Sequence, residues 1–173
     1  EHDGQPFIAM EYVEGETLQS IIKRRAPMDL QQKLQLVKDL CAGLSHAHQA
    51  GIVHRDIKPA NLMVTRQGIL KILDFGIARL ADSSITQTGA LMGTLNYMSP
   101  EQMAGLPVDA RGDIFAVGAV LYELLGYKQA FPGHIHTGIF EKILHEAPEP
   151  LEKICPDVDP QLVLIVNHAL EKN

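Results

Sequence analysis

Apolar positions recur along the chain with two periods, and the change from one to the other divides it. Pro6 to Val13 is an apolar, β-branched run that predicts a strand, ended by Glu14-Gly15. Thr17 to Arg25 predicts a short helix closed by Pro27. Asp29 followed three residues later by Gln32 has the spacing of a capping box and predicts the start of a long helix. Leu30, Leu34, Val37, Cys41, Leu44 and His48 then recur at helical spacing, which predicts one buried stripe stopped by Gly51.

The texture changes after Gly51. Ile52-Val53, Leu62 to Val64 and Ile69 to Leu73 are short apolar runs, and Thr65 to Gly68 between the last two predicts a hairpin turn. Residues 77 to 98 are rich in Ser, Thr, Gly and Ala without a period, which predicts a long loop of the kind that is usually functional or disordered. Three helices follow. Asp113 to Leu125 is apolar nearly all round, as a buried helix is. Ile135 to Glu146 is amphipathic, and Pro160 to Glu171 carries Leu162, Ile165, Val166 and Ala169 on one side. The expectation is a mainly helical chain with a few short strands in its middle.

Composition narrows the function. The 173 residues carry a net charge of −6, against the clustered positive charge that nucleic acid needs. The richest apolar stretch, Ile114 to Gly126, is too short for a membrane span and contains Glu123. The N-terminus has no pattern of a signal peptide. Cys41 and Cys155 are far apart and in no metal-like spacing, which predicts two buried or idle thiols in a reducing compartment. His46 with His48, and His134 with His136, lack the Cys or carboxylate neighbours that complete a zinc site.

The chemistry concentrates in His54-Arg55-Asp56-Ile57-Lys58-Pro59-Ala60-Asn61, followed thirteen residues later by Asp74-Phe75-Gly76. Asp56, Lys58, Asn61 and Asp74 sit at the ends of short apolar strands, where backbone can aim them into a cleft. A carboxylate could orient a hydroxyl nucleophile. A carboxylate and an amide oxygen could together hold Mg²⁺, which prefers oxygen. A lysine could neutralise charge on a migrating phosphoryl group. A turn that merely happens to be polar explains Pro59 and Gly76, but not the joint order and spacing.

That order closely resembles the catalytic loop and metal-binding motif of eukaryotic-like protein kinases. Gly93-Thr94, Tyr97 and Ser99-Pro100-Glu101 resemble the end of a kinase activation segment. Asp113-Ile114-Phe115 with Gly118 resembles the start of the buried central helix of the large lobe, and Met10 to Val13 resembles the hinge, with Met10 as gatekeeper. Lys58 and the Gly-Thr pair resemble the serine/threonine class, and Thr86-Gln87-Thr88 with Tyr97 to Gln102 its bacterial members. The resemblance implies an α+β fold: a kinase large lobe, mainly α-helical with short β-hairpins at the catalytic cleft. Residues 1–16 would be the last small-lobe strand and hinge, and 17–173 the large lobe, truncated before its final helix.

The resemblance also implies roles, position by position. Asp56 would be the catalytic aspartate, Lys58 would contact the γ-phosphate, and Asn61 and Asp74 would bind Mg²⁺ or Mn²⁺. Thr94 would brace Asp56 and Lys58. The backbone at Glu11 and Val13 would pair with the adenine of ATP, Met63 would pack beneath the ring, and Thr17 would fall near the ribose. Arg55 would pair with a phosphate on Thr86 or Thr88. His54 would be a packed core residue under Phe75 and not a base, with Phe75 and Gly76 structural. Glu101 would be a structural ion-pair partner. Asp113 would accept bonds from the His54-Arg55 backbone.

Some parts of the pattern depart or are missing. No Gly-rich loop, strand lysine or late arginine is found, so the expectation is a fragment with little activity alone. Ser99 replaces the usual Ala, Phe115 the common Trp, and Ala60 does not support a basic-substrate preference. The implied function is phosphoryl transfer from ATP to Ser/Thr hydroxyls of protein substrates, in the cytoplasm or on the cytosolic side of a membrane-anchored protein. The alternatives are a pseudokinase-type scaffold, against which Asp56, Lys58, Asn61 and Asp74 argue, and a small-molecule phosphotransferase of related fold.

Overall fold

The computed structural model describes residues 11–74, 95–133 and 137–172. The expected strand up to Met10, Phe75, Gly76, the Thr86/Thr88 segment, Thr94, and His134 with His136 lie outside them.

The chain enters through β1 (Gly15–Thr17) and α1 (Leu18–Lys23), with Thr17 capping α1 by accepting from the Ser20 N–H. The strand expected to end at Val13 is not one over its described residues; pairing begins at Gly15 instead. Glycine permits this. A Cβ on Gly15 would stand 2.2 Å from the Val64 carbonyl oxygen, so only a residue without one lets the strands meet. β1, β2 (Leu62–Thr65) and β3 (Leu70–Ile72) form an antiparallel sheet in that order, with Thr17 opposite Met63 and Met63 opposite Lys71. The turn expected between β2 and β3 is present, with Gly68 at φ +79°. Ile52-Val53 forms no strand and leads into the loop before β2.

α2 (Leu30–Gln49) starts with the expected capping box: Asp29 accepts from the Gln32 N–H, and Gln32 from the Asp29 N–H. Its buried stripe differs from the expected one. Lys33, Leu36, Leu40, Leu44 and Ala47 face the core, whereas Leu30 and Cys41 are exposed. Two apolar rows overlap on this helix, and the row that meets β3 and the later helix over residues 110–126 is the one buried. The buried Lys33 lies with its Nζ over the Tyr127 ring, 4.4 Å from its centroid.

α4 (Ala110–Gly126) is the axis of the core, as its all-round apolarity predicts, and begins three residues before Asp113 because Asp109 caps it. Ile114 is its exposed exception. α7 (Pro160–Ala169) packs on α4 through Leu162, Val163 and Val166, leaving Ile165 in solvent, against expectation. The helices come close because Gly118 has no side chain: a Cβ there would be 2.8 Å from the Ala169 Cβ. Phe115 and Phe131 stack at 5.8 Å. The shorter α3 (Pro100–Met103), α5 (Ile139–His145) and α6 (Leu151–Ile154) complete the helical layer. No described helix is long and apolar enough to cross a membrane.

Candidate active site

The site is built where α2, α4 and the sheet converge. α2 ends at Gln49, Gly51 turns the chain at φ +74°, and residues 52–61 cross the start of α4. There Asp113, with a fully buried side chain, receives the loop. Its Oδ2 accepts the His54 N–H and its Oδ1 the Arg55 N–H, each at 2.8 Å. A carboxylate that accepts two backbone donors fixes the peptide plane between them. Arg55 is held at φ +65°, a conformation that costs a non-glycine residue about 1–3 kcal/mol unless surroundings impose it.

The ring of His54 links the loop to β3. Its Nδ1 accepts the Asp56 N–H at 3.3 Å, so the proton sits on Nε2, which donates to the Leu73 carbonyl at 3.1 Å. The Leu73 N–H in turn donates to the Asn61 carbonyl at 2.8 Å. Asp74, the next residue, therefore leaves β3 beside Asn61, exposed and at φ +48°.

Asp56, Lys58 and Asn61 are in direct contact. The Lys58 ammonium lies 2.9 Å from Asp56 Oδ2, and the Asn61 amide donates to the same oxygen at 2.9 Å and to the Asp56 carbonyl at 2.8 Å. The short 3₁₀ turn Pro59–Asn61 brings Asn61 back over Asp56. With its nitrogen committed to Asp56, Asn61 presents its amide oxygen as its free type of ligand. Among the described residues no cluster of three His, Cys, Asp or Glu could hold a metal by itself, so a cation here needs oxygens from a ligand or water as well.

The flanking positions are also located. Glu11 pairs with Lys71 of β3, Glu14 with Arg66, and Glu16 with Arg24, so each acid of residues 11–16 is tied to the lobe below. Val13 and Met63 are half-buried, and Met63 pairs across the sheet with Thr17. Arg55 carries the one buried side-chain donor without a hydrogen-bond partner among the described residues, its Nε. Such a group costs stability unless an anion meets it.

Glu101 acts electrostatically on Arg111, whose guanidinium Asp109 holds directly. Its neighbour Gln102 reaches the loop, donating to the Arg55 carbonyl at 2.8 Å. Sequence reasoning missed Gln102, although its position three residues after Ser99 is a capping-box spacing, and that box starts α3. His48 was also missed as a site neighbour: its Nε2 lies 2.8 Å from Asp113 Oδ2.

The family model for the protein kinase domain matches residues 1–171. The chain is 43% identical over 171 residues to serine/threonine-protein kinase PknB of Mycolicibacterium smegmatis, covering 97% of this chain and 27% of that protein. It is 44% identical over 170 residues to PknB of Mycobacterium leprae, again 97% of this chain and 27% of the relative. A probable serine/threonine-protein kinase of Corynebacterium efficiens is 41% identical over 165 residues, 94% of this chain and 25% of its own length. The chain thus spans about a quarter of the length of these relatives.

Proposed function

This chain belongs to the protein kinase family, and on that premise we propose that the protein carrying it transfers the γ-phosphoryl group of ATP to Ser or Thr hydroxyls of protein substrates. One observation carries the reading: Asp56, Lys58 and Asn61 meet at a single carboxylate oxygen, on a loop pinned by Asp113.

Asp56 orients the attacking hydroxyl and accepts its proton. Lys58, beside it, neutralises negative charge on the transferring group. The Asn61 amide holds the Asp56 carboxylate in place, and its oxygen together with Asp74 would hold Mg²⁺. The donor set, an amide oxygen and a carboxylate, suits that hard cation. A bound divalent cation supplies charge neutralisation of the phosphates. The backbone at Glu11 and Val13 would meet the adenine, with Met63 beneath it and Thr17 near the ribose.

Arg55, with its orphaned Nε, suits a phosphate on Thr86 or Thr88, which would add a charge of about −1.5 to −2. The natural setting would be the cytoplasm or the cytosolic face of a membrane. The proposal is tested in the full-length protein with radiolabelled ATP. Phosphate should enter a protein substrate with the intact protein and not with Asp56→Asn. Equal incorporation by both would exclude the assignment.

A further inference from the structure

We infer that Asn96 is a positioning residue for the protein substrate, holding the turn beside Asp56 against the chain that follows α4. The inference rests on the kinase reading and adds to it a residue on the polypeptide side of the cleft. Asn96 lies in the 3₁₀ turn Leu95–Tyr97 and is buried, with 3% exposure. Its Nδ2 donates to the Phe131 carbonyl at 2.7 Å and to the Gly133 carbonyl at 3.2 Å. Both partners only accept, so the nitrogen and not the oxygen of the amide faces them, and both of its N–H groups are used.

The turn adjoins the catalytic loop: Tyr97 and Met98 line a small cavity together with Asp56 and Ile57. Thr17, Asn61 and Met63, the residues proposed to meet nucleotide and cation, lie in the sheet or next to it. The 95–97 turn packs on α4 and α5 instead. That leaves the turn's side of Asp56 for the chain that carries the attacking hydroxyl. Asn96 fastens this side to the core. Phe131 stacks on Phe115 of α4, and Gly133 sits at φ +152°, where a side chain is disfavoured. The Tyr97 hydroxyl, which donates to Glu123, holds the turn by a ring tip, whereas Asn96 bonds backbone directly and sets the spacing between the turn and residues 131–133. Filling space does not account for an amide here. A leucine would occupy the site without the cost of burying polar atoms.

The test compares Asn96→Asp, which keeps the shape but turns a carboxylate toward two carbonyl oxygens, with Asn96→Leu, which keeps the bulk and removes the donors. In the full-length protein, both should raise KM for a protein substrate roughly tenfold, with KM for ATP changed by less than about twofold, because the seat of the polypeptide is lost and not that of the nucleotide. Asn96→Asp should be the more severe at neutral pH, although it is the closer in shape. In parallel, the carbonyl ¹³C resonances of Phe131 and Gly133 should move in both variants as those oxygens lose their donor.

An unchanged KM for the protein substrate in either folded variant would overturn the inference. So would a parallel rise in KM for ATP, or loss of the fold in both variants, since each would make Asn96 a residue of general stability. Failure of the kinase reading is seen separately, as phosphate incorporation that survives Asp56→Asn. The carbonyl shifts still report the Asn96 contacts in that event.

Discussion

Asp113 holds Arg55 in a left-handed backbone conformation: its Oδ1 accepts the Arg55 N–H at 2.8 Å while Arg55 sits at φ +65°. Replacing Asp113 with Ala removes the acceptor for two amides and one imidazole, in a site with 1% exposure. Each stranded donor costs about 1–3 kcal/mol. Asp113→Ala should therefore lower the urea midpoint of the purified protein markedly. Asp113→Asn keeps one oxygen and should fall between the two.

Asn61 touches Asp56 twice through one amide nitrogen. Asn61→Ala frees the carboxylate and removes the amide oxygen offered to a cation. The variant should lose activity by at least about a hundredfold, as loss of a charge-stabilising group in a reacting site does, while its melting temperature moves little. Steady-state kinetics at saturating Mg²⁺, beside a thermal melt, separates the two effects.

Glu123, near the end of α4, accepts the Tyr97 hydroxyl. Burial pushes its carboxyl above the ordinary 4.5, and the Tyr97 bond pulls partly the other way. The folded state therefore binds this proton more tightly than the unfolded state. The contribution is full below pH 4.5 and is lost as pH rises through the elevated folded value. Glu123→Gln should flatten that stretch of the stability–pH curve. Tyr97→Phe, which removes the lowering bond, should extend it to higher pH. Denaturant melts from pH 4 to 8 read both, and identical curves would contradict this account.

Gly118 lets α7 settle on α4, with Ala169 and Leu170 where its side chain would be. Gly118→Val overpacks this contact and should destabilise the protein by about 1–3 kcal/mol. A reduced denaturation midpoint with an unchanged slope would record it. A neutral effect would mean that α7 is free to shift.

Much was legible in the chain because local rules write themselves locally. The Asp29–Gln32 box, the Gly68 turn and the apolar run of α4 depend on residues within a few positions, and each is where the pattern puts it. The His54-to-Asn61 and Asp74 spacing also marks one neighbourhood, since a loop and a strand end separated by one hairpin must lie close. Faces were less legible. On α2 two apolar rows compete, and on α7 Ile165 looks as apolar as Val166; which row is buried depends on a partner helix far away in sequence.

Residue order by itself therefore determined which groups carry the chemistry and the class of chemistry they suit, because their types and short spacings are chemical facts of the chain. Only the tertiary structure decided how they are aimed. Asp113 meets Arg55 across 58 residues, His48 meets Asp113 across 65, and Gln102 reaches Arg55 across 47. Bonds over such separations form only when α2 and α4 pack side by side, and helix packing is set by the summed burial of many side chains, which no single stretch of sequence contains.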